Sequence, residues 1–313
     1  MSTKTLTLGS VDIKQCHDSF ASDMEDVRRH IEERLSHALP DQGRSDPLTG
    51  AMRAATLGTG KRMRPLLLMA VARDLGCTSP ALLDAACAVE LVHAASLILD
   101  DLPCMDDAKL RRGMPTVHRQ FGEHVAILAS VALLSRAFQL LSQAPGIPAH
   151  VRTRLVGALA DTVGAQGLVR GQFLDLHGNP HRSLDDIART NELKTGVLLG
   201  LSVEMAAIIA EADERVLQAL RSFALSAGQA FQIKDDLLDD ADATITGKDA
   251  GQDAGKATFN ATLGRRRTAG RLADHLREAD IHLSDAIGGK QGTRSLVGTL
   301  FRNASPLAAA RVS

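Results

Sequence analysis

The 313-residue sequence contains no tryptophan and no tyrosine, and eight phenylalanines are its only benzenoid rings. That scarcity argues against stacking platforms for bases or sugars. Charge of either sign is not in excess: 36 Lys plus Arg stand against 37 Asp plus Glu, a formal net charge of -1. No overall field therefore draws the chain to nucleic acid or an anionic membrane, and any charge-dependent function must reside in local clusters. Cysteines are few. Cys16, Cys77, Cys87 and Cys104 form neither a CxxC pair nor a Cys/His set with zinc spacing, which points to reduced thiols. Cys104 lies among acidic residues whose field opposes a thiolate, so it is not expected to act as a nucleophile. The N-terminal MSTKTLTLGSVDIKQC lacks an apolar core, and no stretch reads as about 20 apolar residues. A soluble, cytoplasmic protein without stable membrane insertion is expected.

What is present is helical. Ala, Leu, Arg and Glu abound, apolar residues recur every three or four positions, and strand signals are almost missing. The pattern predicts helices over Ser19–Ala38, Pro47–Gly58, Pro65–Leu75, Pro80–Asp101, Ala126–Ser142, Pro148–Gly164, Leu168–Leu176, Leu184–Gly200, Ser202–Ala210, Ala212–Asp240, Asn260–Ala279 and Ser295–Asn303. Gly, Pro, Asn and Asp cluster in the breaks, none of which reads as an interdomain linker. The expectation is an all-α, single-domain bundle over residues 1–313, with 1–18 and 304–313 as flexible ends and sites built from side chains on facing helices.

Two acidic clusters stand out. The first, Asp100-Asp101-Leu102-Pro103-Cys104-Met105-Asp106-Asp107, follows the apolar segment LVHAASLIL. Pro103 is a poor helix-interior residue, so Asp100 and Asp101 are expected to end the helix and Asp106 to fold back. The second, Asp235-Asp236-Leu237-Leu238-Asp239-Asp240, places Asp235 and Asp239 one helical turn apart. Carboxylates so crowded repel one another unless a cation is present, and oxygen-only donors favour a hard ion such as magnesium. Local cations complement them: Lys61, Arg62 and Arg64 before a helix start, Arg111 and Arg112 just after the first cluster, then Lys194 and Lys248. Such donors suit a diphosphate. His93 lies seven residues, about two turns, before Asp100. Arg265-Arg266-Arg267 reads as a solvated helix face, and Gly171-Gln172 with Asp175 as cavity lining or helix packing.

In order, GKRMRP, His93, DDLPCMDD, RRG, KT, GQ, FQIKDD and TGKDAGQDAGK span Gly60 to Lys256 and resemble the trans-isoprenyl diphosphate synthases. The resemblance implies an all-α bundle around a deep central cavity, usually in a homodimer. It implies that Asp100, Asp106, Asp235 and Asp239 bind about three magnesium ions, with Asp101 and Asp236 completing the catalytic motifs. Lys61, Arg64, His93 and Arg112 would hold isopentenyl diphosphate. Arg111, Lys194 and Lys248 would touch an allylic diphosphate, while Thr195 and Gln232 line the reaction centre. One departure is the run Ala241-Asp242-Ala243 after the second motif, where the family commonly has Gly-Asp-Pro; it leaves the 244–256 loop and the role of Lys248 open.

The implied reaction is ionisation, condensation and elimination. Product length would be set by the helix before Asp100, since one turn rises about 5.4 Å, close to one isoprene unit. Ala95 is small where shorter-product enzymes carry a bulky ring, with small Ser96 beside it and Val92, Leu91 and Glu90 deeper in the tail pocket, which resembles bacterial enzymes making a twenty-carbon product. A fifteen-carbon synthase, a terpene cyclase and a non-catalytic partner subunit are the alternatives. The cyclase would not need the Lys61, Arg64 and His93 set, and partner subunits usually lack one aspartate motif.

Overall fold

A computed structural model describes residues 12–41, 46–177, 183–239 and 259–301, with only the backbone described at 12–22, 238–239 and 260–261. Fourteen α-helices appear among the described residues: α1 Asp12–Ala38, α2 Pro47–Leu57, α3 Met63–Asp74, α4 Ala81–Asp100, α5 Val117–Phe121, α6 Glu123–Ser142, α7 Ala149–Val163, α8 Leu168–His177, α9 Leu184–Asn191, α10 Val197–Ile209, α11 Glu214–Asp239, α12 Phe259–Leu263, α13 Arg265–Ile287 and α14 Gly292–Phe301. Between α9 and α10 the chain makes a π-helical turn, Glu192–Gly196. The only strands among the described residues are β1 Leu110–Arg111 and β2 Met114–Pro115, an antiparallel hairpin.

The all-α expectation holds, with differences at particular places. α1 begins at Asp12 rather than Ser19, and the expected Asn260–Ala279 helix is two, divided at Gly264. Gly264 has φ +75°, a left-handed conformation that glycine adopts without a Cβ clash. The expected break near Gly200 is instead the π turn, eight to four residues earlier. The hairpin and α5 were not anticipated, because two-residue strands and a five-residue helix carry no readable period. Two helices, α4 and α6, are long and apolar enough by composition to cross a membrane, contrary to the sequence reading. Most of α4 is nonetheless inside the protein, packed on α6 and α3. α6 is half-covered and presents Ile127, Leu128 and Val131 outward.

The main core centres on α4, which packs against α6, α3 and α10. A smaller core, Ile187, Ala230, Ile233, Leu237, Phe259, Leu272 and Phe301, surrounds the second half of α11. Local chemistry sets several helix ends. Asp46 accepts from the backbone N–H groups of Leu48 and Thr49 at 3.2 and 3.0 Å, with Pro47 opening α2. Ser183 and Asp186 form a reciprocal capping box on α9. α14 borrows its cap from far away: buried Asp74, at the end of α3, accepts from Thr293 N and Oγ1, both at 2.7 Å.

Candidate functional site

α4 is buried along most of its length; Leu83 and Leu99 are partly exposed, and so is one stripe toward its C-terminal end. His93, Ser96, Leu97 and Asp100 are partly exposed, and their spacing places them on one face. A partly wetted stripe on a core helix marks the wall of a cleft. The chain-length candidates divide here. By the helical period Ser96 lies about 40° around the axis from Asp100, whereas Ala95 lies about 140° away. Ala95 has no exposed surface and sits in the main core. Ser96 directs its hydroxyl back to the His93 carbonyl at 2.9 Å.

The first aspartate cluster folds as its proline required. α4 ends at Asp100, and the Asp106 N–H returns to the Asp100 carbonyl at 2.9 Å. Burial raises the Asp100 carboxyl to about 6, with the charges of Asp106 and Asp101 adding and those of Lys194 and Arg111 opposing. Asp101 is buried and already paired: Arg111 Nε donates to its Oδ1 at 3.0 Å, and Arg111 Nη2 bonds the same oxygen. Burial likewise raises Asp101, against the hydrogen bond from Arg111.

Arg111 and Arg112 are neighbours in sequence but part company in space. Arg112 Nη1 donates to the Thr59 carbonyl at 2.9 Å, across to the loop of Gly60 and Lys61. A Cβ at Gly60 would stand 2.5 Å from Arg112 Nη1, so the guanidinium would have to shift. On the same side Arg64 Nη1 donates to His93 Nε2 over 3.4 Å. Burial holds the His93 imidazole well below its ordinary pKa, assisted by the charges of Arg64, Arg112, Arg111 and Arg62. A neutral ring accepting at Nε2 carries its proton on Nδ1. The hairpin presenting both arginines is fastened by Thr116, whose hydroxyl donates to the Ala108 carbonyl at 2.9 Å. Buried His118 places Nδ1 3.1 Å from that hydroxyl.

On the opposite wall the π turn carries Lys194 and Thr195. Lys194 Nζ meets Asp175 Oδ2 of α8 at 2.6 Å. The two elements touch at Gly171, where a Cβ would lie 2.4 Å from the Lys194 backbone nitrogen. Gly171 thus packs α8 against the π turn, and Asp175 engages the Lys194 ammonium. Thr195 Oγ1 donates to Gln232 Oε1 at 3.3 Å, and Gln232 Nε2 donates to Asp236 Oδ1 at 3.3 Å. Asp236 Oδ2 accepts the Phe259 N–H at 3.1 Å and so receives the chain as it re-enters at α12. Asp235, next to it on α11, supplies a favourable charge to Arg64. Asp239 ends α11; its side chain, and Lys248 with the rest of 240–258, lie outside the described residues.

The sequence reading grouped Arg62 with the diphosphate-binding cations and did not pair it with Glu90. It treated Glu90 as a deep position of the tail pocket, but its carboxylate is spent on Arg62 at 2.7 Å. No sequence period announces a pair 28 residues apart. The remaining extras behave as expected: Cys77, Cys87 and Cys104 are free thiols, and Arg265, Arg266 and Arg267 are exposed.

Among the described residues no three Asp, Glu, His or Cys side chains converge into a ready-made metal cage. The carboxylates do fit a divalent cation that keeps open coordination positions. They are oxygen-only donors, and Asp100 carries an uncompensated charge penalty that a cation would relieve.

The polyprenyl synthetase family model matches residues 45–280. The geranylgeranyl diphosphate synthase of Pantoea ananas is 50% identical over 280 residues, 88% of this chain and 92% of that protein. The farnesyl diphosphate synthase of Geobacillus stearothermophilus is 40% identical over 270 residues, covering 84% and 91%. The crystal structure of a Helicobacter pylori geranyltransferase complexed with magnesium and isoprenyl diphosphate superposes with a TM-score of 0.80 at 28% identity, covering 96% of this chain and 100% of that one. With that breadth of match, laid over a cleft whose walls carry the same ordered motifs, the chain belongs to the polyprenyl synthetase family.

Proposed function

We propose that the chain is a geranylgeranyl diphosphate synthase, condensing isopentenyl diphosphate head-to-tail with dimethylallyl, geranyl and farnesyl diphosphates in the cytoplasm. The observation that carries this reading is the divergence of Arg111 and Arg112. Arg111 pairs with Asp101 of the first aspartate cluster, while Arg112 crosses to the Gly60-Lys61 loop beside Arg64 and His93. Two cation sets imply two diphosphates, which a cyclase acting on one prenyl diphosphate would not need. Retention of both aspartate motifs speaks against a non-catalytic partner subunit.

In this reading Asp100, Asp106, Asp235 and Asp239 hold magnesium, about three ions, which supplies charge neutralisation for the allylic diphosphate. Arg111, Lys194 and Lys248 bind that diphosphate and stabilise it as the C1–O bond breaks and the electron pair leaves with it. Lys61, Arg64, His93 and Arg112 orient isopentenyl diphosphate, whose double bond attacks the allylic cation. The Thr195 and Gln232 oxygens steady the positive charge, and the apolar wall excludes water that would quench it. A proton then passes from the condensed carbon skeleton to the released diphosphate, forming the new double bond.

The twenty-carbon product is supported by the small Ser96 on the cleft face of α4 and by greater similarity to the Pantoea geranylgeranyl synthase than to the Geobacillus farnesyl synthase. A second copy of the chain is the expected partner, consistent with the outward apolar face of α6. Chromatographic sizing of the product from labelled isopentenyl diphosphate and each starter tests the reading. Wild type is expected to accumulate twenty carbons, and Ser96→Tyr, on the cleft face of α4, to stop at fifteen. A fifteen-carbon wild-type product refutes the length assignment, and absence of condensation refutes the reaction.

A further inference from the structure

Beside the Lys61, Arg64 and Arg112 cluster lies a buried ion pair. Arg62 is 3% exposed and Glu90 4%. Arg62 Nη1 donates to Glu90 Oε1 at 2.7 Å, and Nη2 donates to the Gly58 carbonyl at 2.9 Å. Its Nε lies 3.5 Å from Glu32 Oε1 of α1. One guanidinium thus ties together α1, the end of α2, the start of α3 and the middle of α4. Its own backbone is left-handed, φ +50° and ψ +35°. A side-chain-bearing residue holds that conformation when surrounding contacts over-determine it. The resulting turn sets where Lys61 and Arg64 stand, immediately before and two residues after Arg62.

Glu90 stands one turn before His93 on α4, so the same pair fixes the loop relative to the imidazole. Its charge is also felt by the cluster. Burial lowers Arg64 and Arg112 from the ordinary arginine range, and Glu90 is the first influence that counters it in both. Burying two ions is a weak source of net stability, because desolvation offsets their attraction. A role in fixing geometry accounts for the pair better than a role in holding the fold together.

We infer that Arg62 and Glu90 form a positioning pair, which holds the Gly58–Arg64 turn so that Lys61, Arg64 and Arg112 converge on isopentenyl diphosphate before it arrives. This rests on the proposed reading that the cluster binds that substrate. The two residues touch no substrate themselves. They act through the turn, and preorganised cations avoid an ordering cost on binding.

The test is steady-state kinetics with each substrate titrated separately, on Arg62→Lys and on the paired Arg62→Met/Glu90→Leu, which leaves no orphaned buried charge. The expected result is a KM for isopentenyl diphosphate raised about tenfold or more, with the allylic KM within about twofold of wild type. The paired variant is expected to retain the wild-type circular dichroism spectrum and Tm. If its KM for isopentenyl diphosphate stays within about twofold, or both KM values move together, the positioning role is overturned. Should the paired variant fail to fold, Arg62→Lys decides by the same criterion. Wild-type turnover is measured first: its absence overturns the functional reading alone, and calorimetric titration of isopentenyl diphosphate into wild type and variants then reads the positioning on binding.

Discussion

The two aspartate-rich segments look like copies in the sequence and are built differently. The first is a helix end followed by a turn, with Asp106 folded back on Asp100 and Asp101 occupied by Arg111. The second continues a helix, and its Asp236 is engaged by Gln232 and by the returning backbone at Phe259. In each, the second aspartate of the leading pair is committed to a protein partner. The difference lies in what that partner does. Asp101 steadies a cation facing the substrate side, whereas Asp236 steadies the chain itself. Similar carboxylate spacing therefore does not imply equal duty.

That contrast is testable, beginning with its largest consequence. Asp100→Asn is expected to lower kcat by roughly 10³-fold or more, because it removes charge where a developing diphosphate must be stabilised. Rates measured at saturating magnesium and substrate check this. A loss under about tenfold would place the ion-binding duty elsewhere.

The same substitution should stabilise the metal-free protein. Asp100 is raised to about 6 in the fold, so its protonated form is favoured there. Its stability contribution is fully present below the unfolded carboxylate value near 4 and is lost as pH rises through about 6. In chelator at pH 8, Asp100→Asn is expected to gain on the order of 2–3 kcal/mol, and at pH 3 to gain nothing. Denaturant melts across pH 3 to 8 measure the difference. A pH-independent gain would contradict burial as the cause.

Gly171→Ala probes the opposite wall. Its Cβ would meet the Lys194 backbone nitrogen at 2.4 Å, so α8 and the π turn must separate. A cost of about 2 kcal/mol is expected, with loss of the Lys194–Asp175 contact. Thermal melts and the KM for the allylic substrate read the two effects.

The smallest effect belongs to Asp236→Ala, which strips the Phe259 N–H of its acceptor and is expected to cost about 1 kcal/mol. Its kcat should fall less than that of Asp235→Asn. Equal losses from the two would erase the proposed division of duty.

The helical architecture was legible because apolar residues at three- and four-residue spacing recur along long helices such as α1, α11 and α13. The acidic and basic motifs were legible because their members are close in sequence, and Pro103 foretold the turn at Asp106. Legibility failed where geometry depends on distant partners or on a period that composition does not encode. Nothing in ELKTG separates a π turn from an α-helix, yet that turn presents Lys194 and Thr195. The ruler argument placed Ala95 and Ser96 together and did not anticipate that Ser96, rather than Ala95, shares the face of Asp100. It also took Glu90 for pocket lining, because a carboxylate's partner on another helix is invisible to local pattern.

The cap that Asp74 places on α14 bears on how the chain is made. Asp74 and Thr293 are 219 residues apart, so during synthesis the end of α3 exists long before the backbone that will satisfy it. Until residues 292 and 293 emerge, that carboxylate must stay hydrated, and the surface it later closes must stay open. The final lock of the bundle is therefore a late event, set by the last helix described, and truncations removing it would leave the Asp74 carboxylate without those donors.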